Sequence, residues 1–216
     1  MVIAACVPAL VFWTAALPAL AHGGYTRIWG PDTVTWHFTT GFPEGGGQRD
    51  SVREGADQWT NTPNANFNWN EGNEHANWAT TTDCSNTWAL GLGNNTINWK
   101  PIDGRGGDVG REFDCGNGSG GMTKFWIKFD SDDAADFHWP GHPPDDPPIQ
   151  AGEVDGWAVA SHEFGHATGF EAHITAASLC QSAGIDYHTM CLGILVGFAR
   201  QRTLEVHDVD DFKDRY

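Results

Sequence analysis

His162 and His166 lie four residues apart, and Glu163 directly follows the first of them. On an α-helix, positions four apart share one face, so the two imidazole rings can be directed at a single point. Neutral imidazoles are good ligands for Zn²⁺, and a neighbouring carboxylate can take a proton from a water that the metal polarises. The spacing therefore predicts a zinc site on a helix, with His162 and His166 as ligands and Glu163 as general base.

Gly169 and His173 extend this pattern. Gly169 is predicted to end the helix in a left-handed turn, which glycine adopts at low cost. The chain can then reverse and bring His173 to the metal as a third ligand, which leaves a fourth position for water, as in catalytic zinc sites. The alternative is a surface helix that carries two histidines by chance, and the added glycine and histidine argue against it.

The helix that carries the histidines is predicted to begin near Asp155, a good N-cap residue. Gly165 lies inside this helix and costs about 1 kcal/mol relative to alanine, so packing must hold the helix together. A second amphipathic helix is predicted between Gln48 and Thr60, and a third near the end of the chain. Apolar residues form the core face of the histidine-bearing helix: Trp157, Ala160, Phe164 and Ala167.

Alternation of apolar and polar residues predicts three β-strands, at residues 33–39, 66–70 and 124–129. Two shorter strand-like segments occur at 88–92 and 96–100, inside a region rich in glycine, asparagine and threonine. In the helix at 48–60, Val52, Ala56 and Trp59 recur on one side, which predicts that this side is buried.

The length and composition are those of one folded domain: 216 residues, of which 40% are hydrophobic. The net charge of −16 argues against binding to nucleic acid or to anionic membranes, and it favours basic or neutral substrates. Eleven tryptophans offer a stacking surface for sugars or peptides, but burial in the core is the expected role of most of them.

Residues 1–21 carry no charge, are apolar from Val2 onward and end in Ala19-Leu20-Ala21. This pattern is typical of a secretory signal peptide, although its start lacks lysine and arginine. No later segment is long and apolar enough to span a bilayer. We therefore expect a secreted, extracellular protein, with residues 22–216 as the mature domain.

Export to an oxidising compartment changes the expected state of the cysteines. Cys6 would leave with the signal peptide, and four cysteines would remain: Cys84, Cys115, Cys180 and Cys191. Three pairings are possible, and sequence order favours Cys84–Cys115 and Cys180–Cys191. A second metal site is the alternative, but the sequence has no CxxC spacing among these four.

The proline-rich segment 130–150 carries oxygen ligands suited to Ca²⁺. The glycine and the spacing of an EF-hand loop are absent, which favours a solvated acidic loop over a calcium site. The acidic residues concerned are Asp130, Asp132, Asp133 and Asp136.

With these residues, the chain resembles the metzincin metallopeptidases, and most nearly the matrixin branch. The family pattern is HExxHxxGxxH followed by a methionine in a tight turn beneath the metal, the Met-turn. His162, Glu163, His166 and Gly169 match that pattern position by position, and Met190 matches the methionine. The resemblance covers residues 33–70 and 150–216 and is weak between them.

The resemblance implies an α+β, metzincin-like fold, with a mixed twisted sheet and two long helices in an N-terminal lobe at about residues 22–169. One of these helices bears the zinc ligands, and a small C-terminal lobe at about 170–216 holds the Met-turn and a terminal helix. It also implies a zinc-dependent endopeptidase, with protein or peptide substrates extended along an edge strand. Residues 192–202 would wall the pocket that follows the cut. We expect one catalytic zinc and a monomer.

The chain departs from the family at the third ligand, because the family position falls on Ala172, which cannot bind zinc. A one-residue bulge would bring His173 into place, and Glu171 and His188 are its competitors. The cysteine-switch segment that keeps many matrixins latent is also missing, so no inhibitory propeptide is expected. A Cys180–Cys191 bond would brace the Met-turn, with a stabilisation of roughly 2–3 kcal/mol in the chain-entropy model.

Two other functions are compatible with the motif. In one class of HExxH peptidases a downstream glutamate is the third ligand, and Glu205 is the candidate here. The second alternative is a secreted, zinc-stabilised binding module without catalysis. The presence of Glu163 argues against that module, because binding alone needs no general base.

Overall fold

The computed structural model describes residues 27–75, 95–140, 148–170, 188–191 and 201–216. The predicted signal peptide and the strand-like segment at 88–92 lie outside these ranges. The described elements follow in the order β1 (Thr33–Phe38), α1 (Gln48–Thr60), β2 (Asn68–Glu71), β3 (Asn95–Lys100), β4 (Gly110–Gly116), β5 (Met122–Asp130), β6 (Phe137–His138), β7 (Val154–Asp155), α2 (Gly156–Ala167) and α3 (Val206–Lys213).

Five of the strands form one mixed sheet in the order β2-β1-β3-β5-β4. Its first four strands run parallel, and β4 pairs antiparallel with β5 at the edge. β6 and β7 form a separate parallel pair just before α2. The described chain is thus an α+β domain with a five-stranded sheet and three helices, which confirms the general fold class.

The alternating strands bury the side chains that the sequence pattern predicts. Val34, Trp36 and Phe38 on β1 are 3%, 2% and 1% exposed, respectively. The inward residues of β5 are also buried: Phe125, Ile127 and Phe129. The sheet therefore presents an aromatic face to the helices, because successive side chains on a strand point to opposite sides.

Helix α1 has the predicted bounds, Gln48–Thr60, and packs against α2. A Cβ atom on Gly55 would clash with Ala160 and with the backbone of Ser161, so glycine allows the two helices to approach closely. The indole Nε1–H of Trp59 donates to the carbonyl oxygen of Ser161 at 2.8 Å. This bond satisfies the one polar atom of a side chain that is completely buried.

Phe164 anchors α2 on the sheet. Its ring lies 5.4 Å from that of Trp36, 5.3 Å from that of Trp69 and 6.1 Å from that of Phe125, all edge-to-face. Such pairs add about 0.5–1.5 kcal/mol each beyond the area they bury. The helix that bears the histidines therefore rests on the centre of the sheet.

All tryptophans among the described residues are buried or half-buried, as expected for a packing role. The helix predicted near the end of the chain is α3, Val206–Lys213. Glu205 and Asp208 form a capping box that starts the helix at Val206, and Asp214 ends it. Leu204 and Tyr216 pack on the core from outside the helix.

Candidate metal centre and active site

Helix α2 begins as the sequence predicts, with Asp155 as its N-cap. The carboxylate of Asp155 accepts hydrogen bonds from the backbone N–H groups of Trp157 and Ala158. The same carboxylate is completely buried and forms an ion pair with Arg202, whose Nε lies 2.5 Å from Oδ2. Burial raises the pKa of Asp155, and the Arg202 guanidinium opposes that shift.

Helix α2 ends in a Schellman motif built on Gly169, which has a φ of +103°. The N–H of Gly169 donates to the carbonyl of His166 at 2.7 Å, and the N–H of Phe170 donates to the carbonyl of Gly165 at 3.3 Å. These are the two bonds that define the motif. The prediction of a left-handed glycine at the end of the helix is confirmed.

Two aromatic side chains bind the last carbonyl groups of α2. Trp29 Nε1–H donates to the carbonyl of Ala167 at 2.7 Å, and the Tyr216 hydroxyl donates to the carbonyl of Thr168 at 2.8 Å. The backbone N–H of Trp29 in turn donates to the Tyr216 hydroxyl at 3.2 Å. The end of α2 is thereby fixed from two distant parts of the chain.

The rings of His162 and His166 are held by backbone carbonyl groups. His162 Nδ1 lies 2.7 Å from the carbonyl oxygen of Thr189, and His166 Nδ1 lies 2.6 Å from that of Phe170. A carbonyl oxygen only accepts hydrogen bonds, so each Nδ1 carries a hydrogen, and in the neutral ring each Nε2 carries the lone pair. This arrangement fixes the tautomer that a metal-binding histidine needs.

The Nε2 atoms of His162 and His166 lie 3.2 Å apart. When both rings are neutral, these two nitrogens carry lone pairs and cannot hydrogen-bond to each other. Two nitrogens bound tetrahedrally to one Zn²⁺, at about 2.0–2.1 Å each, lie about 3.3–3.4 Å apart. The separation of the two nitrogens therefore fits a shared cation.

Glu163 lies beside the histidines and is 6% exposed. Its carboxylate accepts a hydrogen bond from the backbone N–H of Glu112 on β4. The strand passes close above the helix, since a Cβ atom on Gly110 would lie 3.1 Å from Glu163 Oε1. Glu163 thus lies between α2 and the edge strand of the sheet.

Burial raises the pKa of Glu163 to about 8, while the Glu112 N–H bond lowers it. The carboxylate of Asp108 adds to the rise, and the Arg111 guanidinium opposes it. A divalent cation at the neighbouring histidines would also favour the charged form. A pKa in this range is suited to a group that first accepts and then returns a proton near neutral pH.

Met190 packs against the last turn of α2 and is completely buried. A Cβ atom on Gly165 would overlap Met190 Sδ and would meet the Trp59 ring at 2.8 Å. Gly165 lowers the helix propensity of α2, but its lack of a side chain leaves the space that Met190 occupies. The contact lies one residue before His166.

Thr189 holds the turn that carries Met190. Its N–H donates to Asp208 Oδ2 at 2.9 Å, and its hydroxyl donates to the carbonyl of Thr203 at 3.1 Å. Its carbonyl is the acceptor for His162 Nδ1. Thr189 therefore connects His162, a candidate metal ligand, to α3.

Cys115 and Cys191 are each disulfide-bonded. Their predicted partners, Cys84 and Cys180, lie outside the described residues, so the predicted pairing stays a prediction. Cys115 lies on the edge strand β4, and Cys191 directly follows Met190. Both bonds therefore attach to segments that border the candidate site.

The predicted third ligand His173 and its competitor Glu171 also lie outside the described residues. The other competitor, His188, forms a buried group with Glu205 and Asp208, in which the ligand atoms lie within 4.8 Å of one another. This group could hold a metal ion. Among the described residues, no group that satisfies the same distance limit joins His188 or Glu205 to both His162 and His166.

Two residues of the predicted acidic loop are buried rather than solvated. Asp130 is completely buried and Asp133 is 1% exposed. They are the N-cap and the last residue of a 3-10 turn, and the backbone N–H of Asp130 donates to the carbonyl of Val109. Asp133 Oδ1 accepts the N–H of Gly106 at 2.7 Å. Asp130 Oδ2 and Asp133 Oδ2 are buried without a hydrogen-bond partner in the described part of the chain. The expectation of a solvated loop is wrong for these two carboxylates.

Three contacts at the site were not predicted from the sequence: Glu112 to Glu163, Asp208 to Thr189, and Arg202 to Asp155. Each joins residues that are distant along the chain, so no local pattern reveals the pair. The only local signal was the spacing of Glu205 and Asp208, which suits a capping box.

Comparison of the chain with protein-family models gives no match, and a search of curated proteins gives no match either. In the part of the chain that the structure describes, no helix combines the length and the apolar character needed to cross a bilayer.

Proposed function

We propose that this chain is a secreted zinc-dependent endopeptidase of the matrixin type, with His162, His166 and His173 as zinc ligands. One observation carries the proposal: the Nε2 atoms of His162 and His166 lie 3.2 Å apart while both Nδ1 atoms are bound to carbonyl groups. That geometry suits a shared metal, and two neutral rings in this tautomer offer no hydrogen bond to each other. The buried Glu163 beside them adds the base that hydrolysis needs.

His162, His166 and His173 would hold the zinc ion, which would supply Lewis acidity toward a peptide carbonyl and toward water. Glu163 accepts the proton of the attacking water and passes it to the leaving amine. The Glu112 N–H holds the carboxylate in place. Burial keeps competing water away from the proton that Glu163 carries.

The edge strand β4 is the proposed binding surface for an extended substrate. Within the described sheet, β4 pairs on one side only, with β5. A peptide can add to such an edge through backbone hydrogen bonds. Because Gly110 and Glu112 on β4 lie against Glu163, a peptide bound there would pass close to the proposed base.

The described structure supports a matrixin-like arrangement in two further respects. Met190 lies beneath α2, and Gly169 reverses the chain directly after the helix. The disulfide bonds of Cys115 and Cys191 support secretion, since structural disulfides persist in oxidising compartments.

We also propose that Asp130 and Asp133 bind Ca²⁺. Each of the two buried carboxylates has an oxygen that lacks a partner among the described residues, and a cation bound there would stabilise the charged form of both. All-oxygen sites of this kind suit Ca²⁺. The ion would tie the 3-10 turn to the glycine-rich segment at 104–109.

Chelation of the metal tests the proposed peptidase directly. Purified chain should hydrolyse casein, lose that activity in a zinc-selective chelator with Ca²⁺ kept in excess, and regain it when Zn²⁺ is restored. Hydrolysis that is indifferent to the chelator would refute the zinc mechanism. A folded chain that binds zinc and hydrolyses no peptide in a library would instead support the binding module.

A further inference from the structure

His188, Glu205 and Asp208 form a second group of metal-ligand side chains, apart from His162 and His166. They are 7%, 6% and 0% exposed, and one ligand atom of each lies within 4.8 Å of the other two. His188 comes from the Met-turn segment, whereas Glu205 and Asp208 come from the start of α3. The group therefore joins two parts of the chain that are not adjacent in sequence.

The chemistry of this group favours a transition metal over a hard cation. One imidazole nitrogen and two carboxylate oxygens suit Zn²⁺, whereas Ca²⁺ and Mg²⁺ prefer oxygen ligands alone. The two carboxylates are buried close together, where a charge without a counter-ion is unfavourable. A divalent cation would neutralise both at once.

Backbone hydrogen bonds already orient the two carboxylates. Glu205 Oε1 accepts the N–H groups of His207 and Asp208, at 2.9 and 3.1 Å. Asp208 Oδ2 accepts the N–H groups of Thr189 and Glu205, at 2.9 and 3.3 Å. A carboxylate has about four acceptor positions, so two N–H bonds leave capacity for a metal. Such supporting bonds are typical of metal ligands.

His188 Nδ1 lies 2.5 Å from Glu205 Oε1. That contact requires a proton between the two atoms, since neither can otherwise donate to the other. Ligand atoms around one tetrahedral zinc are separated by about 3.3 Å, so a metal would replace the proton after a shift of less than about 1 Å. The His207 ring stacks on His188 at 5.5 Å and restrains the imidazole from one side.

We propose that His188, Glu205 and Asp208 bind a second divalent transition metal ion, preferentially Zn²⁺, which links the Met-turn to α3. This site does not depend on peptidase activity. The unaltered chain would then bind two zinc ions when the candidate centre on α2 is also filled.

Equilibrium dialysis against Zn²⁺, followed by metal analysis, tests the second site in a His162→Ala/His166→Ala variant. This variant lacks the ligands of the first site and is expected to keep one zinc per chain. Adding Glu205→Gln and Asp208→Asn should weaken that binding at least 100-fold. Glutamine and asparagine keep an oxygen that can accept the backbone N–H bonds, so the change removes mainly charge and ligand strength.

Asp210→Asn is the matched control, because Asp210 is an exposed carboxylate on the same helix. In the His162→Ala/His166→Ala background it should leave the retained zinc in place. No zinc in that background, with the circular dichroism of a folded chain, overturns the proposal. So does zinc that survives the Glu205→Gln/Asp208→Asn change.

If the combined variant does not fold, Co²⁺ titration of the His162→Ala/His166→Ala variant decides the question. A bound Co²⁺ ion that displaces the histidine proton should give visible absorption bands that are absent after a further His188→Gln change. Bands that are missing before that change, or unaltered by it, refute the second site. Because every readout is metal binding, these results stay separable from any failure of the peptidase proposal.

Discussion

Asp208 Oδ2 accepts the backbone N–H of Thr189 at 2.9 Å, and the carbonyl of the same threonine accepts His162 Nδ1–H at 2.7 Å. The final helix thus controls the position of a ligand-type histidine through a single intervening residue. Asp208 is completely buried and also accepts the N–H of Glu205. Its removal would affect both the helix start and the histidine.

Asp208→Ala is expected to lower the free energy of unfolding by about 2–4 kcal/mol. The change leaves two backbone N–H groups, those of Thr189 and Glu205, without their acceptor, and each such loss costs about 1–3 kcal/mol. Urea unfolding in a chelator measures the effect without any contribution from bound metal. Asp210→Ala on the exposed side of the helix should change stability little. Equal effects of the two variants would contradict the structural role of Asp208.

Gly165→Ala is expected to destabilise the chain by about 1–3 kcal/mol, although alanine is the better helix former. The added Cβ would overlap Met190 Sδ and crowd the Trp59 ring. Thermal unfolding gives the measurement. Gly45→Ala serves as control, because a Cβ there meets no atom within 4 Å. A stabilised Gly165→Ala variant would show that Met190 does not pack against this position.

Glu163→Ala is expected to reduce casein hydrolysis by about 10²–10⁴-fold and to leave bound zinc unchanged. The reason is that Glu163 serves as base while the histidines hold the metal. Activity assays together with metal analysis of the same preparation give both readouts. Glu44→Ala, which alters an exposed carboxylate, should leave activity intact. Full activity of Glu163→Ala would remove Glu163 from the mechanism.

His173→Ala is expected to abolish hydrolysis, by at least about 100-fold, because catalytic zinc requires three protein ligands. Glu205→Gln should reduce hydrolysis far less, since Glu205 lies with His188 and Asp208. Comparing the activities of the two variants identifies the third ligand. Greater loss in Glu205→Gln would assign that role to the glutamate.

Calcium is expected to raise the melting temperature of the chain, and Asp133→Asn should abolish the rise. At 100 times its dissociation constant a ligand adds about 2.7 kcal/mol. Asp132→Asn is the matched control, because Asp132 is exposed on the same turn. Differential scanning calorimetry with and without Ca²⁺ measures the difference. An equal calcium response in all three proteins would refute the site.

The histidine-bearing helix could be predicted closely because its signals are local. Asp155 caps the first turn, Gly169 ends the last one, and the core face repeats at helical spacing. The same holds for α1, whose predicted bounds are the observed ones. The residues that start, end and pack each of these helices lie close together in sequence, so a local sequence pattern can reveal them.

Strand β4 could not be predicted, because its residues carry charges and are mostly half-exposed. It forms by pairing with β5, which supplies the alternating core residues. The burial of Asp130 and Asp133 escaped prediction for a similar reason. Acidic residues are normally exposed, and only the packing of a distant segment buries these two.

The end of α2 also bears on how the molecule folds. Trp29 binds the carbonyl of Ala167 across 138 residues of chain, and Tyr216 binds that of Thr168 across 48. Contacts between such distant residues form slowly, because the intervening chain must first lose entropy. The turn after His166 therefore gains these two hydrogen bonds only when the segments that contain Trp29 and Tyr216 have packed against α2. In a partly folded chain the backbone after His166 would therefore lack the contacts that fix it.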